Sequence, residues 1–276
     1  MSANEIVPEP VVRDGIEYWN QQKADEDGVL GGFGTGSLPR VESCGSRLFL
    51  LNLLPELCTV PSALKPLDSS SSSAATRYRA LDVGAGVGRV TADTLLPLVS
   101  DVVLLEPVDS FIGEALARAQ GKRKMKWRGI EDREKSVTFV KGTLQAFDPS
   151  APLAEQDVSI LDRVGYKADA ENNGFNVVWC QWCLGHLSDP DLIAFLKRSQ
   201  QSLRGSRSLI VVKENCCSDG ADGTPKTVFD EDDSSLTRSD LAWKKAFELA
   251  GLRLIREQVQ GGLPEGLYTV KMYALR

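Results

Sequence analysis

Leu81-Asp82-Val83-Gly84-Ala85-Gly86-Val87-Gly88-Arg89 stands between two unlike patterns. Before it, Tyr78 to Val83 is a short apolar run that stops at the glycines; after it, Val90 to Leu98 has helical spacing. A strand that turns through three glycines into a helix can bring backbone N–H groups close to a ligand, because no Cβ stands in the way. The same glycines also serve a purely structural tight turn, so the residues around them decide between the two uses. Glu106 closes the next strand, Asp101 to Leu105. An acid in that place accepts both ribose hydroxyls of a bound nucleoside.

Spacing narrows the nucleoside further. Dinucleotide enzymes usually carry Gly-x-Gly-x-x-Gly and set a pyrophosphate on the helix N-terminus. Here the pattern is Gly84-x-Gly86-x-Gly88 with Asp82 two residues ahead of the first glycine, a spacing typical of S-adenosylmethionine enzymes. That cofactor has a carboxylate and no phosphate. Arg89, directly after the last glycine, is placed to pair with the carboxylate bidentately. Leu144-Gln145 follows a third strand, Val137 to Val140, where the adenine is expected.

Outward from the loop, strands and helices alternate. Helical spacing runs from Ser110 to Ala119, from Pro190 to Leu203 and from Ser239 to Ala250; Phe175 to Cys180 and Ser208 to Lys213 read as strands. The last two strands, Leu252 to Val259 and Tyr268 to Ala274, bracket Gly261-Gly-Leu-Pro264 with no helix between them, which predicts an antiparallel hairpin at one edge. The expected fold is α/β, of the class I S-adenosylmethionine-dependent methyltransferase type. It is a Rossmann-like seven-stranded sheet with helices on both faces and a terminal antiparallel hairpin. An N-terminal helical extension precedes it, with helices at Gly15 to Ala24 and at Arg47 to Leu57. Expected boundaries are a disordered tail over 1–13, the extension with a substrate lid over 14–58, a Ser-rich connector over 59–78 and the methyltransferase domain over 79–276. Residues 121–136 and 149–173 read as surface insertions.

Composition sets outer limits. A hydrophobic share of 42% and a charged share of 25% over 276 residues are those of an ordinary globular chain. A formal charge of −6 argues against a protein that grips phosphate backbones, so no nucleic-acid partner is expected. The opening Met1 to Asp14 has no apolar core of a signal peptide, and no apolar run approaches the ~20 residues that span a bilayer. Six cysteines without a framework of spacings suggest reduced thiols, hence cytosolic residence with the nucleus as a second compartment.

The acceptor side is read from three segments. Val177-Val-Trp-Cys-Gln181-Trp182-Cys-Leu-Gly-His186 ends the fourth strand at the carboxyl edge, where open α/β sheets bind ligands. His186, the sole histidine, is either a helix-start residue bonded to a carbonyl or a general base, since an imidazole titrates near neutrality. Cys180 and Cys183 with Cys216-Cys217 lack a paired knuckle motif, so no metal is expected and buried thiols are the better account. Asn215 at the end of the fifth strand can orient a substrate amide. Asp230-Glu-Asp-Asp-Ser-Ser235 is either a solvated cap on the following helix or an acidic wall for a basic substrate.

These residues resemble the eukaryotic α-N-terminal protein methyltransferases, which recognise N-termini of the form Xaa-Pro-Lys or Xaa-Pro-Arg. The similarity is carried by Tyr18-Trp19, by Asp27-Gly-Val-Leu-Gly-Gly-Phe-Gly34, by the loop Leu81 to Arg89 and by Gln181-Trp-Cys-Leu-Gly-His-Leu187. It continues through Lys213-Glu-Asn215, Asp230 to Ser235 and Leu263-Pro-Glu-Gly-Leu-Tyr268, and departs in longer connectors at 61–76, 122–136 and 151–173. The resemblance implies that Gly84, Gly86, Arg89, Glu106, Pro107, Val108, Leu144 and Gln145 bind S-adenosylmethionine and its product S-adenosylhomocysteine, with Trp19 and Gln181 closing around it. Glu106 stands where the relatives carry an aspartate. Leu30 and Gly31 would form a lid over the substrate, Trp182 would lie beside its proline and Asn215 would hold its first residue. Asp230, Asp233, Ser235 and Tyr268 would face its first three residues. Substrates would be proteins whose initiator Met has been removed, ribosomal proteins among the candidates, and the enzyme is expected to be a monomer.

Chemistry supplies a mechanism for that expectation. An α-ammonium has no lone pair, and only about one-tenth of such groups are neutral at pH 7. Asp233 and His186 are the expected catalytic pair that removes the proton, directly or through water. Three competing readings stay open on the sequence: a methyltransferase acting on a lysine side chain or a small molecule, a non-catalytic cofactor-binding module docking a basic partner, and a nicotinamide-dependent oxidoreductase disfavoured by the glycine spacing.

Overall fold

A computed structural model describes residues 7–60, 76–123, 126–151, 157–167 and 174–276. The extension holds three helices, α1 (Val12–Asn20), α2 (Glu26–Val29) and α3 (Leu38–Leu53). Beyond it come β1 (Arg79–Val83), β2 (Asp101–Glu106), α4 (Asp109–Ala119), β3 (Ser136–Lys141), β4 (Ser159–Gly165), β5 (Val177–Gln181), α5 (Asp189–Gln201) and β6 (Leu209–Cys216). The chain continues as β7 (Thr227–Asp230), β8 (Ser235–Arg238), α6 (Asp240–Leu249), β9 (Leu254–Val259) and β10 (Thr269–Leu275).

Eight strands form one sheet in the order β4-β3-β2-β1-β5-β6-β10-β9. The five central strands run parallel. β10 is antiparallel to β6, and β9 antiparallel to β10. The two closing strands therefore pair as expected, but the later one lies inside the earlier one. The sequence predicts seven strands, and the eighth is β4, antiparallel to β3 at the opposite edge, within a stretch that reads as an irregular insertion. Its side chains are half-buried or exposed, so it lacks the apolar alternation that marks a strand.

Burial explains the central strands. Leu81 and Val83 of β1, with Val178 and Cys180 of β5 and Ile210 and Val212 of β6, face one side and pack on Phe195 of α5 and Trp243 of α6. The alternate residues Ala80, Val177, Trp179, Leu209 and Val211 face the other side, with Phe49 of α3 and Ile112 of α4. A strand covered on both faces reads as a continuous apolar run, which is why these five are visible in the sequence.

Several expected boundaries shift. Val12 and Arg13, within the expected disordered tail, already belong to α1. α3 begins at Leu38, upstream of the expected Arg47, because Pro39 in its first turn fixes a helical φ and costs no hydrogen bond. Beyond the glycine loop the helix is of π type over Thr91–Leu95, a form frequent at functional sites. The acidic run is not a cap on α6: Ser239 caps that helix by accepting from the Ala242 N–H, and Asp230 to Ser235 is instead the turn of the β7–β8 hairpin. The start of the expected tail, 1–6, and the centre of the Ser-rich connector, 61–75, lie outside the described residues.

β1 adjoins both β2 and β5, so the chain leaves it in opposite directions. Crossover connections diverge there and open a crevice above the carboxyl ends of the strands.

Candidate active site

The crevice is lined first by the glycine loop. Gly84 has φ +60°, and a Cβ on it would collide with the Cβ of Cys183, so the turn demands glycine twice over. Glu106 reaches back from the end of β2. Its Oε2 accepts the Gly86 N–H at 2.7 Å and its Oε1 the Val108 N–H at 2.9 Å. Burial pushes its carboxyl up to about 7 against these two bonds. Asp82 is buried as well and raised to about 7 by burial, its Oδ2 accepting the Thr91 hydroxyl at 2.6 Å.

Around these groups a cavity partly open to solvent is walled by Trp19, Gly84, Gly86, Arg89, Glu106, Pro107, Val108, Leu144, Gln145 and Gln181. All ten residues expected to hold the cofactor thus line one chamber. Phe111, edge-on to the Trp19 indole at 6.2 Å, and Thr143 also line it. The fit to a nucleoside with an amino-acid tail is chemical. Glu106 keeps lone pairs beyond its two backbone bonds for the ribose, apolar Val108, Phe111 and Leu144 suit a flat base, and Arg89 supplies a cation.

Arg89 is not simply waiting for a ligand. It is buried and paired with Glu42 of α3. Glu42 also accepts from the Lys213 ammonium at 2.8 Å and from Gln181 Nε2 at 2.7 Å. Burial works to raise the Glu42 pKa, but Arg89 and Lys213 outweigh it and hold the carboxyl below its ordinary value. Sequence reasoning gives neither Glu42 nor Lys213 a role in the site: Glu42 lies ahead of the expected helix Arg47 to Leu57, and Lys213 is met only as a strand end and as part of the Lys213-Glu-Asn215 motif.

A second cavity adjoins the first. Leu30, Gly31, Trp182, Asn215, Asp233, Ser235 and Tyr268 line it, joined by Phe33, Glu214 and Leu267. Asp230 does not reach its wall. That carboxylate turns back within the hairpin and accepts the Asp232 N–H at 3.0 Å. The segment expected to form a lid is held by close packing: a Cβ on Gly34 would collide with the backbone of Asp27, and Asp27 Oδ1 accepts the Gly34 N–H at 3.0 Å.

Trp19, Val29, Leu30, Trp182 and His186 belong to both cavities. Two of these are held in unusual ways. Trp182 sits at φ +54°, costly for a bulky residue, and its indole lies 5.7 Å from the Arg89 guanidinium. His186 Nε2 accepts the Trp19 indole N–H at 3.0 Å, which places the proton of the neutral ring on Nδ1. Burial lowers the His186 pKa, opposed by the Asp233 carboxylate and the Ser234 backbone. The segment carrying both side chains is pinned from below. Glu214 Oε1 accepts the Cys183 and Leu184 N–H groups at 2.9 Å each, and buried Arg238 donates to the carbonyls of Leu184 and Leu187. Among the described residues, Trp182 Nε1, His186 Nδ1 and Asp233 Oδ1 are buried polar atoms without a protein hydrogen-bond partner, and all three residues line the second chamber. Such atoms mark where a ligand's polar groups belong.

Comparison with known proteins agrees with this geometry. The family model described as AdoMet-dependent proline dimethyltransferase matches residues 8–276. The chain belongs to that family. Members similar to it include the alpha N-terminal protein methyltransferase 1 of Schizosaccharomyces pombe, 35% identical over 97% of this chain and 97% of that one. The N-terminal Xaa-Pro-Lys N-methyltransferase 1 of Xenopus tropicalis is 30% identical over 94% of this chain and 92% of its own length. A solved S-adenosylmethionine-dependent methyltransferase of Leishmania major superposes with a TM-score of 0.64 at 28% identity, covering 96% of this chain and 82% of that one. As an AdoMet-dependent dimethyltransferase-family member, the chain is a transferase with the class I fold that uses S-adenosylmethionine.

Proposed function

We propose that this enzyme methylates the free α-amino group of proteins whose N-terminus reads Xaa-Pro-Lys or Xaa-Pro-Arg. The observation that carries the reading is the junction of the two chambers. A chain end entering past Leu30 and Tyr268 meets Trp182 and His186 at the wall shared with the cofactor chamber. Asn215 in the acceptor chamber suits the first residue's backbone, and the Asp233 carboxylate, on a turn whose other acids lie outside the chamber wall, adds negative charge that suits a basic third residue. Proline at the second position presents a preset backbone to the Trp182 ring.

Bound S-adenosylmethionine supplies an electrophilic methyl group. The protein's own part is to hold the amine in line and remove its proton. In this structure the Nε2 lone pair of His186 is engaged by Trp19, whereas Asp233 Oδ1 is free, so Asp233 is the first proton acceptor. His186 becomes an acceptor at Nε2 once the indole N–H withdraws. The test incubates the enzyme with S-adenosylmethionine and a peptide beginning Ser-Pro-Lys, with an N-acetylated copy and a peptide bearing only an internal lysine as controls. Mass spectrometry is expected to show whole methyl increments on the free peptide alone. Increments on the internal-lysine peptide, or none on any, overturn the reading.

A further inference from the structure

Lys213 is fully buried in the middle of β6, behind the wall of the cofactor chamber. Its ammonium is bound by Glu42 Oε2 at 2.8 Å, Ser46 Oγ at 2.8 Å, Gln260 Oε1 at 3.0 Å and the Glu42 carbonyl at 3.1 Å. Glu42 at the same time pairs with Arg89. Two cations thus share one carboxylate in a place closed to water, and the group as a whole carries one surplus positive charge. The other carboxyls that feel Arg89, those of Asp82 and Asp93, are raised by burial toward their neutral forms, so the surplus lacks a full counter-ion, a costly state, and the arrangement favours an anion. The surplus also faces the right way. Of the three ions only Arg89 lines the cofactor chamber, and both the Arg89 guanidinium and the Lys213 ammonium lie within 6.0 Å of the Trp182 ring that forms part of its wall.

We propose that Lys213 is a positioning residue for the cofactor: by neutralising Glu42 from behind, it leaves the charge of Arg89 uncancelled for the cofactor's carboxylate. Without Lys213, Glu42 and Arg89 would cancel one another and the chamber would offer an amino-acid tail no net charge. The inference rests on Arg89 being the carboxylate's partner, and the test separates the two.

Calorimetric titration with S-adenosylhomocysteine and with its decarboxylated analogue reads the contribution of the carboxylate as a ratio of affinities, with no turnover involved. The native enzyme is expected to prefer the carboxylate ligand. Lys213→Met is expected to lower that preference about tenfold, the order of effect for one charge at short range in a partly buried site, while the analogue's affinity stays within about threefold. Glu42→Gln added to Lys213→Met removes the cancelling charge and restores the preference; a role confined to packing would make the double variant worse. Where Lys213→Met does not fold, Glu42→Gln alone carries the test, because it leaves at least one surplus cation and the preference holds or rises. Equal losses for both ligands in Lys213→Met, a double variant no better than the single, or a fall in preference in Glu42→Gln overturns the proposal for Lys213. A native enzyme that binds both ligands alike refutes the role of Arg89 itself.

Discussion

Cofactor affinity is expected to rise as the pH goes from 6 to 8, and Glu106 is the group responsible. Its carboxyl, buried at the end of β2, is raised from an ordinary value of 4.5 to about 7, chiefly by burial. Ribose hydroxyls donate to the ionised form, so the cofactor binds the deprotonated protein. A group with a pKa of about 7 is ionised in about one molecule in eleven at pH 6 and in about ten in eleven at pH 8, so Kd should differ about tenfold. The assay is calorimetry with S-adenosylhomocysteine at both pH values, in buffers of different ionisation enthalpy so that the released proton is counted. Glu106→Gln supplies the control. A carboxamide can accept only one of the Gly86 and Val108 N–H groups and sets an NH₂ against the other. That mismatch is present with and without ligand, so it lowers stability by about 1–3 kcal/mol, while the loss of the titrating group should shrink the pH dependence of binding. Asp82, also raised to about 7, keeps its Thr91 bond in both proteins and its charge helps hold Glu106 up, so any pH dependence left in Glu106→Gln belongs to Asp82. The same pH dependence in both proteins refutes the reasoning. The sign for stability runs the other way. A carboxyl whose folded pKa lies above its unfolded value contributes stability that is lost as the pH rises through that window, here from 4.5 to about 7. The empty protein should melt higher at pH 5 than at pH 8, and the cofactor should narrow the gap.

Asp233→Asn and His186→Asn should each cut kcat by about 100-fold or more, the usual worth of general-base catalysis, while the Kd for S-adenosylhomocysteine, measured calorimetrically, moves little. Trp19→Phe removes the donor to His186 Nε2, a bond that favours the neutral ring. The His186 pKa should rise, and the acid limb of the kcat/KM profile should shift to higher pH; an unmoved limb would exclude His186 as its source. Gly84→Ala meets the Cys183 side chain at φ +60°. It should destabilise the fold by about 2–3 kcal/mol and lower Tm by several degrees, as differential scanning calorimetry would report.

Legibility followed burial. The five central strands are apolar on both faces, and the loop from Asp82 to Gly88 is constrained by backbone geometry, so local sequence announces them. β4, β7 and β8 owe their existence to partners elsewhere. β4 is an edge strand with Ile160 and Leu161 exposed, and the β7–β8 pair is four residues long on each side of an acidic turn. Motifs reveal the cofactor-side and acceptor-side residues, and Lys213 falls within one of them, yet nothing in them signals that it shares a carboxylate with Arg89. Glu42 and Lys213 are separated by 171 residues, and neither has a pattern around it that signals a buried ion. Asp230 shows the converse: a motif marks the hairpin turn, but its side chain is spent on the turn itself.

The placement of β10 between β6 and β9 bears on how the molecule comes to be made. A ribosome delivers β9 before β10, its neighbour in the sheet, exists. Until residues 269–275 arrive, β6 presents a bare edge lined with apolar side chains, and β9 has nothing to add itself to. Nascent chains should therefore stay open to chaperones until synthesis has passed that strand, and a stop codon near residue 268 should remove two strands from the sheet rather than one.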